Sequence, residues 1–294
     1  VINTSIPSPP LDWSVIHLGP LQIYVYALVI LVGIFVGLWL TRRRWVARGG
    51  DPVAIEEIAL WAVPFGIIGG RLYHVVSTPG PYFGAGGHPI EAFNVRQGGL
   101  GIWGAVALGA LGAWIGARRQ KVSFSAFMDA AAPGLIIAQA IGRIGNYFNQ
   151  ELFGGSTTLP WGLEIEPLQS ALAGQYPPGT LFHPTFLYEM IWNLAGAAMI
   201  IVLDRRLRLR FGRVFWLYVI VYTAGRLWIE MLRIDEAVHV FGVRINVWVS
   251  ILVLAMGIAM FVLTRRKQSG EMINDAPARS RSGEPNNKVV ASKK

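Results

Sequence analysis

Seven stretches of the chain stay apolar for about the 20 residues a membrane helix needs, and the polar residues gather between them. They are 21–41, 55–77, 98–117, 127–148, 184–203, 213–232 and 245–264. The first, third, fifth and seventh are nearly uninterrupted. The second carries Arg71 and the sixth Arg226 and Glu230. The fourth is the weakest, with Pro133, Gln139, Arg143 and Asn146 inside it. The pattern predicts an all-α, polytopic integral membrane protein with seven transmembrane helices and one catalytic unit over 21–265.

Composition agrees. Of 294 residues, 53% are hydrophobic and 15% charged, where a soluble domain has about 45–50% and about 25%. So little charge cannot cover a water-exposed surface. The absence of cysteine excludes disulfides, thiolate metal sites and a cysteine nucleophile within the chain. No grouping with metal-ligand spacing is visible, so no metal or cofactor is expected. The formal charge of +9 does not point to nucleic acid, because its carriers sit in short clusters between apolar runs.

Those clusters predict the topology. Of 26 Lys and Arg residues, Arg96, Arg233 and Arg244 fall in loops on one side, and Arg71, Arg143 and Arg226 within spans. The other twenty follow spans one, three, five and seven. Basic loops are cytoplasmic, which places the N-terminus outside and the C-terminus inside; losing span four would break the alternation. Residues 1–20 have no basic stretch before an apolar run. They are expected to be an interfacial loop or helix rather than a cleavable signal. The loop 149–183 has no Lys or Arg and several Gly and Pro residues. Trp161, Leu163, Ile165 and Leu168 make it an expected ordered lid. The polar stretch 266–294 is expected to be a disordered basic tail. Gly66 with Gly70, and Gly112 with Gly116, have the spacing of close helix packing, expected within one chain rather than between copies.

Ionisable groups at membrane depth carry the chemistry. An arginine there costs at least about 2.5–3.5 kcal/mol and normally faces the bundle interior or a water-filled cavity. Arg143, Asn146 and Gln150 share one face of span four, and Arg226, Glu230 and Arg233 one face of span six. Both faces lie toward the outer side. Arg71 sits in span two, Tyr26 in the outer part of span one, and Gly98 and Gly99 open span three. His183-Pro184 opens span five, with Tyr188 and Glu189 two turns in. Converging guanidinium groups suit a phosphate, so an anionic phospholipid of the outer leaflet is the expected ligand. Plainer readings stand beside this one. Arg226–Glu230 can be an insertion-easing ion pair and Arg143 a hub for carbonyls. Arg71 can be structural, Tyr26 an interfacial aromatic and His183 a helix-entry residue.

Gly142-Arg143-Ile144-Gly145-Asn146-Tyr147-Phe148-Asn149-Gln150-Glu151-Leu152-Phe153-Gly154 closely resembles the signature of bacterial prolipoprotein diacylglyceryl transferases. In the same order as in that family follow Gly19-Pro20 with Tyr26, Gly69-Gly70-Arg71, Gly98-Gly99-Leu100, His183-Pro184 through Glu189, and Gly225-Arg226 through Arg233. The likeness covers about residues 15–265. The uninterrupted GIWGAVALG run and the basic tail are similar to actinobacterial members. The resemblance implies a seven-helix inner-membrane enzyme that moves the diacylglyceryl group of phosphatidylglycerol to the lipobox cysteine thiol of a preprolipoprotein. It releases glycerol phosphate. Separately, the chain is expected to be a monomer among membrane lipids. The resemblance carries roles onto Arg143, Asn146, Glu151, Gly154, Tyr26, Arg226, Glu230 and Arg233. Arg71, Gly98, Gly99 and His183 join them as binding candidates from the flanking segments. Many members have a histidine in span three, where this chain has Trp103. The proton acceptor is therefore sought in Glu230 or Glu151, with His183 behind them.

Two other classes fit parts of the pattern. A transporter or flippase for an anionic amphiphile would also use intramembrane arginines, but the two halves show no repeat and both arginine faces lie toward one side. A scaffold would explain the glycine pairs but not the polar cluster.

Overall fold

The computed structural model describes residues 4–19, 21–95, 98–166 and 173–266. Pro20, Arg96, Leu168 and the tail from 267 onward lie outside the described residues. Each of the seven apolar stretches contains one long helix. The helices are α1 (Val25–Ala47), α2 (Pro52–Ser77), a single-turn α3 (Gly80–Phe83), α4 (Ile102–Arg119), α5 (Phe124–Phe148), α6 (Thr185–Leu207), α7 (Arg213–Leu232) and α8 (Ile245–Leu263). Six of them, all but α3 and α4, are long and apolar enough to cross a membrane, and the chain is a multi-pass membrane protein. α4 falls short because four glycines dilute its hydropathy and Arg118-Arg119 close its 18 residues.

The ends differ from the expected ones for local reasons. The first stretch begins as strand, not helix. β1 (Val15–Leu18) pairs antiparallel with β2 (Leu21–Tyr24), Val15 opposite Tyr24. Gly19 supplies the left-handed turn at φ 59°. The described part of the segment expected as loop or helix is loop with a 3-10 turn at Leu11–Ser14 and then enters this hairpin. α1 then continues through Arg42, Arg43 and Arg44, whose long side chains reach past an apolar core. α2 starts early because Asp51 accepts from Val53 N at 3.0 Å and Pro52 occupies the first helical position. α4 starts late because Gly98 and Gly99 hold positive φ.

α5 is the central helix, packed against α1, α6 and α7. Over half of its apolar window is buried, against 17% for α1 and α8. This explains its weak apolar signal: a helix surrounded by protein need not satisfy lipid. α2 and α4 pack as a pair through their glycines. A Cβ on Gly69 would stand 2.2 Å from the Gly104 carbonyl oxygen, and one on Gly104 2.1 Å from that of Gly69. Gly112 and Gly116 approach Trp61 and Ile58 of α2 in the same way. The glycine spacing therefore serves packing within the chain.

At the arginine-rich end, Arg44 and Arg48 both pair with Asp204, at 2.8 and 2.9 Å, tying α1 to α6. Asp129 of α5 accepts from Gly212 N and Phe215 N, each at 3.0 Å, and so caps α7 from a neighbouring helix. The opposite end carries three two-stranded antiparallel sheets: β1–β2, β3 (Ser156–Thr157) with β4 (Leu181–Phe182), and β5 (His239–Val240) with β6 (Val243–Arg244). There Phe153, Leu163 and Phe182 form a small core with Ile6, Ile165 and Ile234 around them. The described residues of the loop after α5 are thus folded, and they are pinned to the N-terminal segment by Ile6 N to Gly162 O at 2.9 Å.

Because Gly104 meets backbone, Gly104→Val must push α2 and α4 apart, with a cost of about 1–3 kcal/mol or more. Gly66→Ala, whose added Cβ would find its nearest atom at 3.6 Å, should be tolerated. Thermal unfolding in detergent, compared for the two variants, checks this contrast.

Candidate functional site

The Asp129 cap sets the height of the site. Arg143 stands fourteen residues beyond Asp129 on α5, and Arg226 fourteen beyond Gly212 on α7. The two helices run in the same direction, and both guanidiniums therefore rise about 21 Å above the clamp. α6 comes back between them and presents Glu189 at the same level.

Glu189 joins the two arginines. Arg143 Nη2 lies 2.7 Å from Glu189 Oε2, and Arg226 Nη1 lies 2.9 Å from Glu189 Oε1. Arg143 Nη1 donates to Asn146 Oδ1 at 3.2 Å, and Asn146 Nδ2 donates to Glu151 Oε1 at 2.8 Å. On the other side Arg226 Nη2 meets Glu230 Oε2 at 2.6 Å. Glu230 is fully buried and also accepts from Arg244 Nε and Asn246 Nδ2, each at 2.9 Å, with Arg233 at 3.6 Å. Arg233 and Arg244 then share Asp235 at 2.7 to 3.1 Å. One connected chain thus holds four arginines and four carboxylates, Glu151, Glu189, Glu230 and Asp235. Its formal charges cancel. Such balance is what makes ions tolerable away from water. One turn down, Gln139 Nε2 donates to Tyr218 OH at 3.0 Å. Gln139 Oε1 and Asn193 Nδ2 are buried there with no hydrogen-bond partner among the described residues. The polar character of the interior therefore extends below the arginines.

Asp235 lies beyond α7. Burial works against its charge, but hydrogen bonds and charges from Arg233 and Arg244 prevail and hold its carboxyl below the usual carboxylate range.

The structure brings Arg143, Asn146, Glu151, Arg226, Glu230 and Arg233 into this chain, and sets Tyr26 beside it. The Tyr26 ring covers Gly145, where a Cβ would stand 2.3 Å from the ring. Other residues named from the sequence lie outside the ion chain, although the Gly154 backbone bridges to that of Arg233. Gln150 leaves the α5 face, because the helix ends at Phe148 and Gln150 takes φ 48°. Its buried amide holds Pro9 O and Glu166 N. Arg71, on α2, donates to the carbonyls of Glu91, Ala92, Gly98 and Gly99 and stacks on Tyr82, organising the loop before α4. Gly154 sits where a Cβ would collide with His183 and with Leu232 O. The His183 backbone pairs with Gly154 and Gly155, and its ring meets Tyr188 OH at 3.2 Å. Trp103 is half exposed on α4, the helix paired with α2.

Glu189, Arg244, Asn246 and Asp235 were given no role from the sequence. For Glu189 the signal was present, since a carboxylate within a span is as costly as an arginine. Arg244 and Asp235 read as ordinary loop charges, and only the fold turns them inward.

The profile of the prolipoprotein diacylglyceryl transferase family matches residues 14–263. The chain belongs to this family. It is 52% identical to phosphatidylglycerol–prolipoprotein diacylglyceryl transferase 2 of Streptomyces coelicolor over 90% of this chain and 82% of that protein. It is 53% identical to the enzyme so named from Frankia alni, over 90% and 69%. A third, from Paenarthrobacter aurescens, is 52% identical over 89% and 84%. The likeness to actinobacterial members of the transferase family thus extends over most of the chain, and the family match includes every member of the ion chain described above.

The depressed Asp235 carboxyl has a consequence for acid stability. Asp235→Asn should lower stability at neutral pH by about 1.5–3 kcal/mol, as for hydrogen bonds to charged groups. A carboxyl lowered on folding stabilises fully above its unfolded pKa and loses that contribution as pH falls through the folded value. The difference in melting between wild type and variant should therefore be constant above about pH 5 and shrink below about pH 4.

Proposed function

We propose that this protein transfers the diacylglyceryl group of phosphatidylglycerol to the lipobox cysteine thiol of preprolipoproteins, forming a thioether and releasing glycerol phosphate. The observation that carries this reading is the meeting of Arg143 and Arg226, from separate helices, on one carboxylate at one level of the bundle. Two guanidiniums that can both reach one carboxylate can both reach one phosphate.

α4 is taken as a seventh membrane span. With the arginine-rich end cytoplasmic, the N-terminus and the site face outward and the C-terminus inward. The enzyme then works in the bacterial inner membrane, on the outer leaflet, as a monomer, with the folded loop after α5 as its cover. An alternating-access carrier would want a midplane site, whereas this ion chain lies toward one end of the bundle.

The reaction is a displacement at the glycerol C3 carbon. The sulfur electron pair forms the C–S bond, and the C–O pair leaves on the phosphate. Arg143 and Arg226 stabilise the charge that builds on the departing oxygen. The thiol, with a reference pKa of about 8.5, must lose its proton, and nearby arginines favour the thiolate. Glu230 is a poor acceptor because donors from α7, α8 and the β6 end already occupy it. Glu151 is exposed and held through one oxygen by two amides, Asn146 and Asn149. It is the carboxylate to which we assign the proton. Asn146 links it to Arg143, and Tyr26 lines the same side. Arg71 then acts by shaping the Gly98–Gly99 turn, and His183 by setting the entry of α6.

The test is transfer itself. Purified protein with phosphatidylglycerol vesicles and a lipobox-cysteine peptide should yield diacylglyceryl peptide by mass; transport of the lipid without product would favour the carrier reading. Arg143→Ala should lose at least about a hundredfold in rate, the scale of one removed transition-state donor, while remaining folded. Arg226→Lys should fail too, since an ammonium lacks the guanidinium fork. Trp103→Phe should largely keep the rate, and its collapse would give the indole a direct role.

A further inference from the structure

The two guanidiniums assigned to the phosphate already hold an anion. Glu189 is 4% exposed and spans them with one oxygen each. Each arginine has a second hold that does not involve Glu189: Arg143 on Asn146 Oδ1 and Arg226 on Glu230 Oε2. If Glu189 let go, both would stay in place with one face of donors turned to the vacated position.

Resting on the transfer reaction above, we propose that Glu189 is a positioning residue that competes with phosphate for Arg143 and Arg226, and that its return expels glycerol phosphate after each turnover. The need for it follows from charge. The phospholipid enters as a phosphodiester with one negative charge. After the C–O bond breaks, the headgroup is a phosphomonoester carrying about 1.5–2 charges at neutral pH. Two arginines in a low-dielectric site hold the product more tightly than the substrate, so an unopposed pair would trap it. A resident carboxylate on the same donors weakens both complexes and restores the neutral chain when it re-engages. Glu189 is suited to this because it sits on α6, between the helices that carry the arginines. Glu230, clamped from four sides, is not free to exchange.

The experiment compares wild type with Glu189→Gln in the vesicle and peptide assay, with glycerol phosphate added as inhibitor. In the variant, KM for phosphatidylglycerol and the inhibition constant for glycerol phosphate should both fall by about tenfold or more. Product should appear as a burst of about one lipidated peptide per enzyme, followed by slow turnover set by release. Unchanged KM and unchanged inhibition would overturn the proposal. So would a slower single turnover without tighter inhibition, which would place Glu189 in the chemical step. If Glu189→Gln does not fold, Glu189→Asp keeps the charge but is one methylene too short to span both arginines. It should show the same two shifts by about threefold, and their absence there is equally fatal. A wild type that makes no lipidated peptide sinks the transfer reading and this one together; a wild type that does, with variants unshifted, sinks only this one.

Discussion

The structure turns on the cost of charge inside an apolar bundle. Four arginines and four carboxylates stand at one end of α5, α6, α7 and α8, and the buried ones among them, Glu189 and Glu230 above all, are not tolerable there alone. They are tolerable as a chain in which each carboxylate touches at least one cationic or amide donor. Removing one partner of a buried pair costs about 3–5 kcal/mol. The ion chain to which we assign the reaction is therefore also a fastening between four helices. This dual role separates the two kinds of arginine in the fold. Arg71 is spent on backbone carbonyls, whereas Arg143 and Arg226 share one carboxylate, Glu189, between them.

Precision at that end is set at the other. Asp129 caps α7 from α5, and Asp204 gathers Arg44 and Arg48 of α1. These contacts fix the sliding register of the helices far from the site, and the α-helical rise carries it upward. A shift of one residue in α7 would move Arg226 by about 1.5 Å and rotate it by about 100°, enough to lose Glu189. The α2–α4 pair is locked to itself by its glycines and adds apolar packing at that end, where Ile58 and Ala117 share a buried core with Trp45 of α1 and Ala130 of α5.

How legible this was depends on what each residue reports. The seven helical stretches followed from apolar runs, because lipid forces backbone hydrogen bonding and apolar surface to coincide. α5 was the hardest to read for the same reason, being shielded from lipid by its neighbours. The face carrying Arg143 and Asn146 was readable from helical spacing. Gln150 was not, since spacing cannot announce that the helix stops two residues earlier. Glu189 was visible as a charge at depth, but the arginine faces drew the reading toward phosphate and away from the carboxylate already between them. Arg244, Asn246 and Asp235 had no local signal at all. Their role comes from a hairpin that folds back over the end of α7.

Trp103 bears on where the proton goes. The helix position where many relatives of the signature carry histidine is here a half-exposed indole on α4, which packs on α2. In the transfer we propose, a chain that keeps the arginines and their carboxylates while lacking that imidazole passes the thiol proton elsewhere. The arginines lower the demand on any base, because a thiolate forming near two guanidiniums gains from their charge what it lacks in intrinsic acidity. The remaining need is a carboxylate within reach of solvent and not already committed to an arginine. Glu151 meets that description among the four, and Asn146 couples it to Arg143, so that in the transfer we propose, charge leaving through the phosphate and the proton leaving the sulfur are governed from one side chain of α5.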